Sequence, residues 1–546
     1  MSLRRVQAEW VLPIGVACMV VAFAAGSGSE PWVKRYGLDV RWVVLLVVCA
    51  AALVAAGRHL RRTQRPPARG LLRFGVLAAS FLAIAFVSTA WSVAPRLTFE
   101  RACSLAVLFT LGAALAVVTA DDTAARVRLF QGLAAGAIAV GVLGLVVVVL
   151  DYDASGIQYP NAWRYRGFTE NPNTIAILAA ASLPIVVALA LRTQTVRRQA
   201  AWLIGALLLI GSVVASESRG GMLAACAGTL VVVVFGVRGV KQRAVAVTAL
   251  VLAFGGGIAL RQALQTPAPG FTYQVSAPTA PPAREATKPE SRPGTKPNSS
   301  SGTNPKSSSR AKPASRPNRN RSSSSGRGTR GNGRPETRAR GSGRPKAQAG
   351  GRRKNKRHQA APAPYVRLTT RTAELPAEQD EIGHPALTKT ATTTAGSGRV
   401  AAWEGSLEQI ADRPILGYGF GTEENVFVDR WYYFQGGTNE NSYLGLLMQL
   451  GAVGLAFVLA MACLLIVGGL RALPLLHDDD RLLVITSLGV IVAAATIMLI
   501  QSYLYSVGNV ASATVWITIF VLSPVALAPR ATRARVRASA QERVAA

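Results

Sequence analysis

A carboxylate and a carboxamide, Glu440 and Asn441, sit side by side where a long hydrophilic segment runs into an apolar one. An ionisable group at such a depth is costly, so it is a functional candidate by default. A carboxylate there can take a proton from a hydroxyl nucleophile when desolvation makes it basic enough. Arginines recur in comparable settings. Arg164 and Arg166 belong to Arg-Tyr-Arg-Gly-Phe-Thr-Glu-Asn171-Pro-Asn173, just before an apolar run, and Arg219 to Ser216-Glu-Ser-Arg-Gly-Gly between two such runs. Arg399 opens a short amphipathic segment. A guanidinium fork matches phosphate oxygens and stays charged in a low dielectric, which suits a phosphorylated lipid. Each feature also has a plainer use. An arginine at a helix end can anchor it at the headgroups, and Asn171 and Asn441 can cap the helices that follow them.

The elements that must position these residues are apolar and long. Half of the 546 residues are hydrophobic, and they are gathered in blocks. Such blocks predict membrane helices near 10–26, 40–57, 71–91, 102–119, 129–150, 174–191, 201–216, 221–237, 243–260, 443–470, 483–503 and 510–528. The expectation is an all-α polytopic membrane protein of about twelve transmembrane helices. The short basic loops, such as Arg58 to Arg69 and Arg192 to Arg198, all fall on one side of that map. By the positive-inside rule that side is cytoplasmic, as are both termini. Loops 27–39, 92–101, 151–173, 216–220, 261–442 and 504–509 then face outward, and all four polar clusters share that face. The first span also resembles a signal peptide, but an uncleaved span is the expectation.

The outer loop 261–442 is large and carries a basic insert. Residues 266–364 are rich in Ser, Arg, Pro, Gly and Lys with almost no large apolar side chain, so the sequence predicts disorder there. The formal charge of +32 comes from this insert and from the cytoplasmic loops. The charge suits membrane lipid and an anionic wall polymer rather than specific nucleic acid, and the plainer reading of the insert is a solvated insertion tolerated in a surface loop. Order should resume in 365–442. Val400, Trp403, Leu407 and Ile410 recur at helical spacing, predicting an amphipathic helix over 398–411 with Ser397 as its cap. The turn Gly417-Tyr-Gly-Phe-Gly421 follows, and its glycines permit positive φ. The five cysteines all lie in apolar runs and read as small core residues, and the four histidines form no metal constellation.

In order along the chain, several pieces resemble the O-antigen ligase and O-antigen polymerase superfamily of multi-pass bacterial glycosyltransferases. Arg166-Gly-Phe-Thr-Glu-Asn-Pro-Asn is similar to the family's Arg-x-Gly…Asn-Pro-Asn segment, and Ser218-Arg219-Gly220 to the Ser-Arg-Gly that opens its core. Arg399…Trp403 and Asp412-Arg-Pro-Ile-Leu-Gly-Tyr-Gly-Phe-Gly resemble its loop helix and glycine turn. Asn441-Ser-Tyr-Leu…Gly451-x-x-Gly454 resembles its His-Asn-x-Tyr-Leu…Gly-x-x-Gly segment, with Glu440 where the family commonly has histidine. The resemblance spans about 160–265 and 395–460. It divides the chain into N-terminal helices over 1–150, helices opening the core over 151–265, the insert, the ordered loop, C-terminal helices over 443–530 and a cytoplasmic tail over 531–546.

What the resemblance implies is a glycosyltransferase of the cytoplasmic membrane, acting on its outer face. The donor would be a glycan on a polyprenyl diphosphate and the acceptor a glycan or lipid, with no metal or other cofactor. Arg166, Arg219, Arg399 and Arg164 would contact the diphosphate, Glu440 would act as base or orient the acceptor, and Asn441 would position it. His384 is a second outer-loop histidine that could serve instead of the family's. Polymerisation of lipid-linked repeat units is the nearest alternative. A solute transporter and a non-catalytic wall-interacting membrane protein are the alternatives of another class.

Overall fold

The computed structural model describes residues 3–25, 40–64, 66–159, 162–264, 399–423 and 439–528. The insert 266–364, Ser397 and His384 lie outside them. The described chain forms thirteen α-helices, two 3-10 turns and one hairpin. The helices are α1 (Leu3–Ala25), α2 (Val40–Thr63), α3 (Arg69–Val87), α4 (Pro95–Thr119), α5 (Thr123–Leu150), α6 (Pro172–Arg192) and α7 (Val196–Ala215). They continue with α8 (Arg219–Gly236), α9 (Val240–Leu264), α10 (Arg399–Asp412), α11 (Ser442–Ala472), α12 (Asp478–Met498) and α13 (Val510–Ala526). Ten are long and apolar enough to cross a membrane, while the apolar parts of α1 and α13 are shorter.

Helix starts fall earlier than hydropathy placed them. Pro95, Thr123 and Asp478 begin helices whose first turns are polar, and a first turn tolerates proline, cap partners and acidic residues. One end is corrected in the other direction. The eleventh span was expected to run to residue 503, but α12 stops at Met498 and residues 499–509 form a structured loop. Tyr503 in that loop is fully buried. A second addition is the antiparallel hairpin of β1 (Gly156–Tyr159) and β2 (Ala162–Tyr165), with Gly156 opposite Tyr165. Trp163 of β2 stacks on Tyr152 at 4.7 Å.

Helix α13 is buried along nearly its whole length, and α6 and α12 are largely buried and pack with α8. They meet at small residues. A side chain on Gly228 of α8 would lie 2.6 Å from the carbonyl of Gly489 on α12, with Pro184 of α6 against both. Lipid supplies no hydrophobic drive between helices, so close backbone approach at such residues holds the bundle. The cysteines divide. Cys49 is buried, whereas Cys18 and Cys463 are exposed on their helices, contrary to the expected core role.

At the end of the bundle where α12 begins, three consecutive aspartates each take an arginine from a different part of the chain: the start of α5, the end of α6 and the link between α8 and α9. Asp480 accepts from Arg126 at 2.8 Å, Asp479 pairs with Arg192 at 3.0 Å, and Asp478 pairs with Arg238. Arg126 is itself buried and donates to the carbonyls of Thr119 and Ala120 at 2.8 Å.

Candidate functional site

Arg399, the first residue of α10, donates from Nε to Glu440 Oε2 at 2.8 Å, and its Nη2 reaches the same oxygen. Both side chains are largely but not fully buried. Oε1 has no bonded partner among the described residues. Glu440 has φ +48, a left-handed conformation that is uncommon for a residue with Cβ. The local sequence explains how it is held. Asn439 Oδ1 accepts from the Asn441 amide at 3.0 Å, so the chain turns tightly across Glu440. Asn441 then caps α11, its Oδ1 accepting from Tyr443 and Leu444 at 3.0 and 3.2 Å. The Asn441 side-chain carbonyl is thereby committed, and its NH2 group makes no hydrogen bond among the described residues.

Behind this turn lies a carboxylate that the sequence reading did not single out. Glu423 is buried, two residues beyond the glycine turn. Its Oε1 accepts from Ser502 at 2.7 Å and from the Asn439 amide at 3.3 Å. Its Oε2 accepts from Gln449 at 3.3 Å and from the Tyr505 hydroxyl. Burial, then the adjacent Glu423, push the Tyr505 phenol well above its ordinary range, so it stays a donor. Gly445 has to be glycine here, because a Cβ would meet the Tyr505 hydroxyl and Glu423 Oε2. The signal available in sequence was a run of polar side chains, Gln449 in α11 and Ser502 and Tyr505 beyond α12, with no counterpart to satisfy them.

The glycine turn docks into a break in α11. Gly451 has φ 62 and ψ −162, so the helix is interrupted there. The carbonyls this frees are met by the turn: Tyr418 and Gly419 donate to Met448 and Gln449 at 2.8 Å each. In the other direction the Ala452 amide donates to Pro414 at 2.8 Å. Gly417, Gly419 and Gly421 all have positive φ, as their spacing predicts. Trp403 of α10 donates to the Asn439 carbonyl at 3.0 Å and closes the circle.

The remaining clusters connect to this centre through the loop 499–509. Gly220 lies against Ile500, where a Cβ would collide with it. Next along, Gln501 accepts from Ser442 at 2.7 Å, and Ser502 lies 3.3 Å from Asn439 Oδ1. Arg219, adjoining Gly220, is exposed at the first turn of α8 and makes no bond or ion pair among the described residues. Arg164 donates to the Ser216 carbonyl at 2.8 Å and to Asn173 at 3.1 Å, tying the first cluster to the second. Arg166 donates to the Ala154 carbonyl at 2.9 Å. Asn171 caps α6, accepting from Asn173 at 2.8 Å. The four clusters are thus one connected layer. Arg399 is spent on Glu440, Arg164 is spent on backbone and cap, and Arg219 is the open guanidinium. Glu217, another left-handed residue at φ 53, pairs with Arg261 at 2.9 Å. Among the described residues no three His, Cys, Asp or Glu side chains gather as metal ligands.

No family model matches the chain, and no curated protein is significantly similar to it.

Proposed function

We propose that the chain is a membrane glycosyltransferase that moves a glycan from a polyprenyl diphosphate to an acceptor hydroxyl, at the outer face of the cytoplasmic membrane, with both termini cytoplasmic. The observation that supports the proposal is the connected polar layer, in which Arg164 ties its segment to Ser216, Gly220 meets the 499–509 loop, that loop reaches Asn439, and Arg399 holds Glu440. In the proposed reaction the acceptor oxygen attacks the anomeric carbon and the diphosphate-lipid leaves. Glu440 Oε1 takes the hydroxyl proton or orients the acceptor. Arg219 and Arg166 offset the charge of the leaving diphosphate. Arg399 fixes the Glu440 carboxylate by holding Oε2. About twelve spans and an outward loop over 261–442 complete this picture, with membrane lipids as surroundings and the basic insert as a contact for anionic wall polymer.

The interrupted helix α11 bears on the transporter alternative, because transporters coordinate solutes at unwound backbone. Here Met448 and Gln449 carbonyls at the break accept from the chain's own Tyr418 and Gly419. That favours a structural break over an ion site. Polymerisation of lipid-linked repeats uses the same chemistry with a different acceptor.

The test is the lipid-linked glycan pool of a deletion strain, complemented with variants at equal expression. Accumulated intermediates support transfer. Arg219→Lys keeps the charge and loses the fork, so transfer should drop clearly, whereas a headgroup anchor would tolerate it. Glu440→Gln should lower product on the order of a hundredfold if Glu440 is the base. Unchanged intermediates with altered solute uptake would favour the transporter.

A further inference from the structure

A cavity of about 810 Å³ opens beside this layer, between the ends of α1, α2, α4 and α6 and the loop before α13. None of the proposed site residues lines it. Its walls are mixed, with hydroxyl and amide groups from Ser104, Thr174, Ser506 and Asn509 and a partnered carboxylate, Glu170. Phe23, Phe99, Val107 and Val507 are apolar, while Arg41 and Arg101 bring guanidinium groups to the same space. Glu100 also lines it, but Arg96 already holds that carboxylate at 2.9 Å. Arg41 donates to the Gly508 carbonyl at 3.3 Å. Arg101 makes no hydrogen bond or ion pair among the described residues, although its stem is pinned, with Gly421 packed against Cγ. A half-buried guanidinium with no bonded partner among the described residues keeps its donors available to an anion.

We infer that this cavity binds the head of a phosphate-bearing amphiphile, with the phosphate on Arg101 and the first part of the tail on the Phe99 side. The volume falls within the range of small-molecule sites, about 300–1,000 Å³, and far exceeds one phosphate. A planar fork is the donor geometry for phosphate oxygens. Phe99 and Trp42 are exposed at the rim, and the face of α2 beyond it carries exposed Val43, Leu46 and Val47, so an apolar tail can leave the cavity along apolar surface. The cavity also shares a wall with the polar layer. Gly421 contacts Arg101 and donates to Gln449 Oε1 at 2.7 Å, and the loop that supplies Val507 also supplies Ser502 and Tyr505 to Glu423. Binding is read without any transfer reaction, so the inference stands or falls independently of the transferase proposal.

Cys103 lines the cavity and provides a reporter. The full chain, with its other four cysteines replaced and held in nanodiscs, would be alkylated with a thiol reagent in the presence of polyprenyl monophosphate, phosphatidic acid, polyprenol or inorganic phosphate. Protection by either phosphate amphiphile at concentrations where polyprenol and inorganic phosphate fail supports the site, and the more potent of the two identifies the lipid. Arg101→Gln should raise the protecting concentration about tenfold or more, and Arg197→Gln, exposed in the first turn of α7 and away from the cavity lining, should leave it unchanged. Equal protection by polyprenol, equal protection by inorganic phosphate, or no protection by any of them overturns the inference. If Arg101→Gln fails to accumulate, the comparison of ligands on the parent chain decides the matter alone.

Discussion

Arg399 grips Glu440 through a single carboxylate oxygen, leaving the other oxygen of a residue held at φ +48 without a bonded partner among the described residues. The arrangement orients a carboxylate and keeps half of it available. It also predicts energetic coupling, because each single change strands the other partner. A double-mutant cycle of Arg399→Gln and Glu440→Gln, read by thermal unfolding in detergent, should give a coupling of about 1 kcal/mol or more. Additive losses would mean that the pair does not act as a unit.

Glu423 should matter more to stability than Glu440. It is buried and accepts from Ser502, Asn439, Gln449 and Tyr505, so Glu423→Ala leaves several buried donors unmet. The expected loss is about 3 kcal/mol or more, against a smaller loss for Glu440→Ala. Comparable melting temperatures for the two variants would contradict this ranking.

Gly451→Ala should be severe. The backbone at φ 62 and ψ −162 is a conformation for glycine alone, and a Cβ would collide with the Ile415 backbone. The docking of the glycine turn would be lost with it. Membrane accumulation of the variant near parent levels would show that the break is not held in this form.

Tyr505 gives a pH dependence of known sign. Its folded-state pKa is raised, so the folded chain keeps this proton where the unfolded chain loses it. The stabilisation is complete below the unfolded tyrosine value of about 10 and falls as pH rises beyond it. Tyr505→Phe should be less stable near neutrality and show a flatter alkaline decline, measured by unfolding at stepped pH.

Much of the architecture was legible because apolar blocks of this length have few alternatives in the sequence code. The starts of α4, α5 and α12 were placed late for the same reason, since hydropathy discounts Pro95-Arg96, Thr123 and Asp478, which the first turn of a helix welcomes. The amphipathic period of Val400, Trp403, Leu407 and Ile410 gave α10 within one residue at each end. The early stop of α12 was hidden, because Leu499-Ile-Gln-Ser-Tyr503 is apolar enough to continue a span and leaves it only to reach Ser442 and Glu423. In the site, Asn171 and Asn441 were readable as caps from their position alone. Glu423 was not, because its role depends on three partners from α11 and the loop after α12. The hairpin around Trp163 had no alternating pattern long enough to announce it.

On the orientation proposed above, the three aspartates that open α12 would give the arginines opposite them two successive uses. While a chain is being inserted, loop arginines are counted as free positive charges and acidic residues weigh little. Arg126 and Arg192 lie far before Asp480 and Asp479 in the chain, so on the orientation proposed above they would be counted long before their partners are made. Once α12 arrives, Asp478, Asp479 and Asp480 absorb the charges of Arg238, Arg192 and Arg126 in turn. The three pairs thereby form a clasp that fastens the start of α5, the end of α6 and the link between α8 and α9 to one helix end.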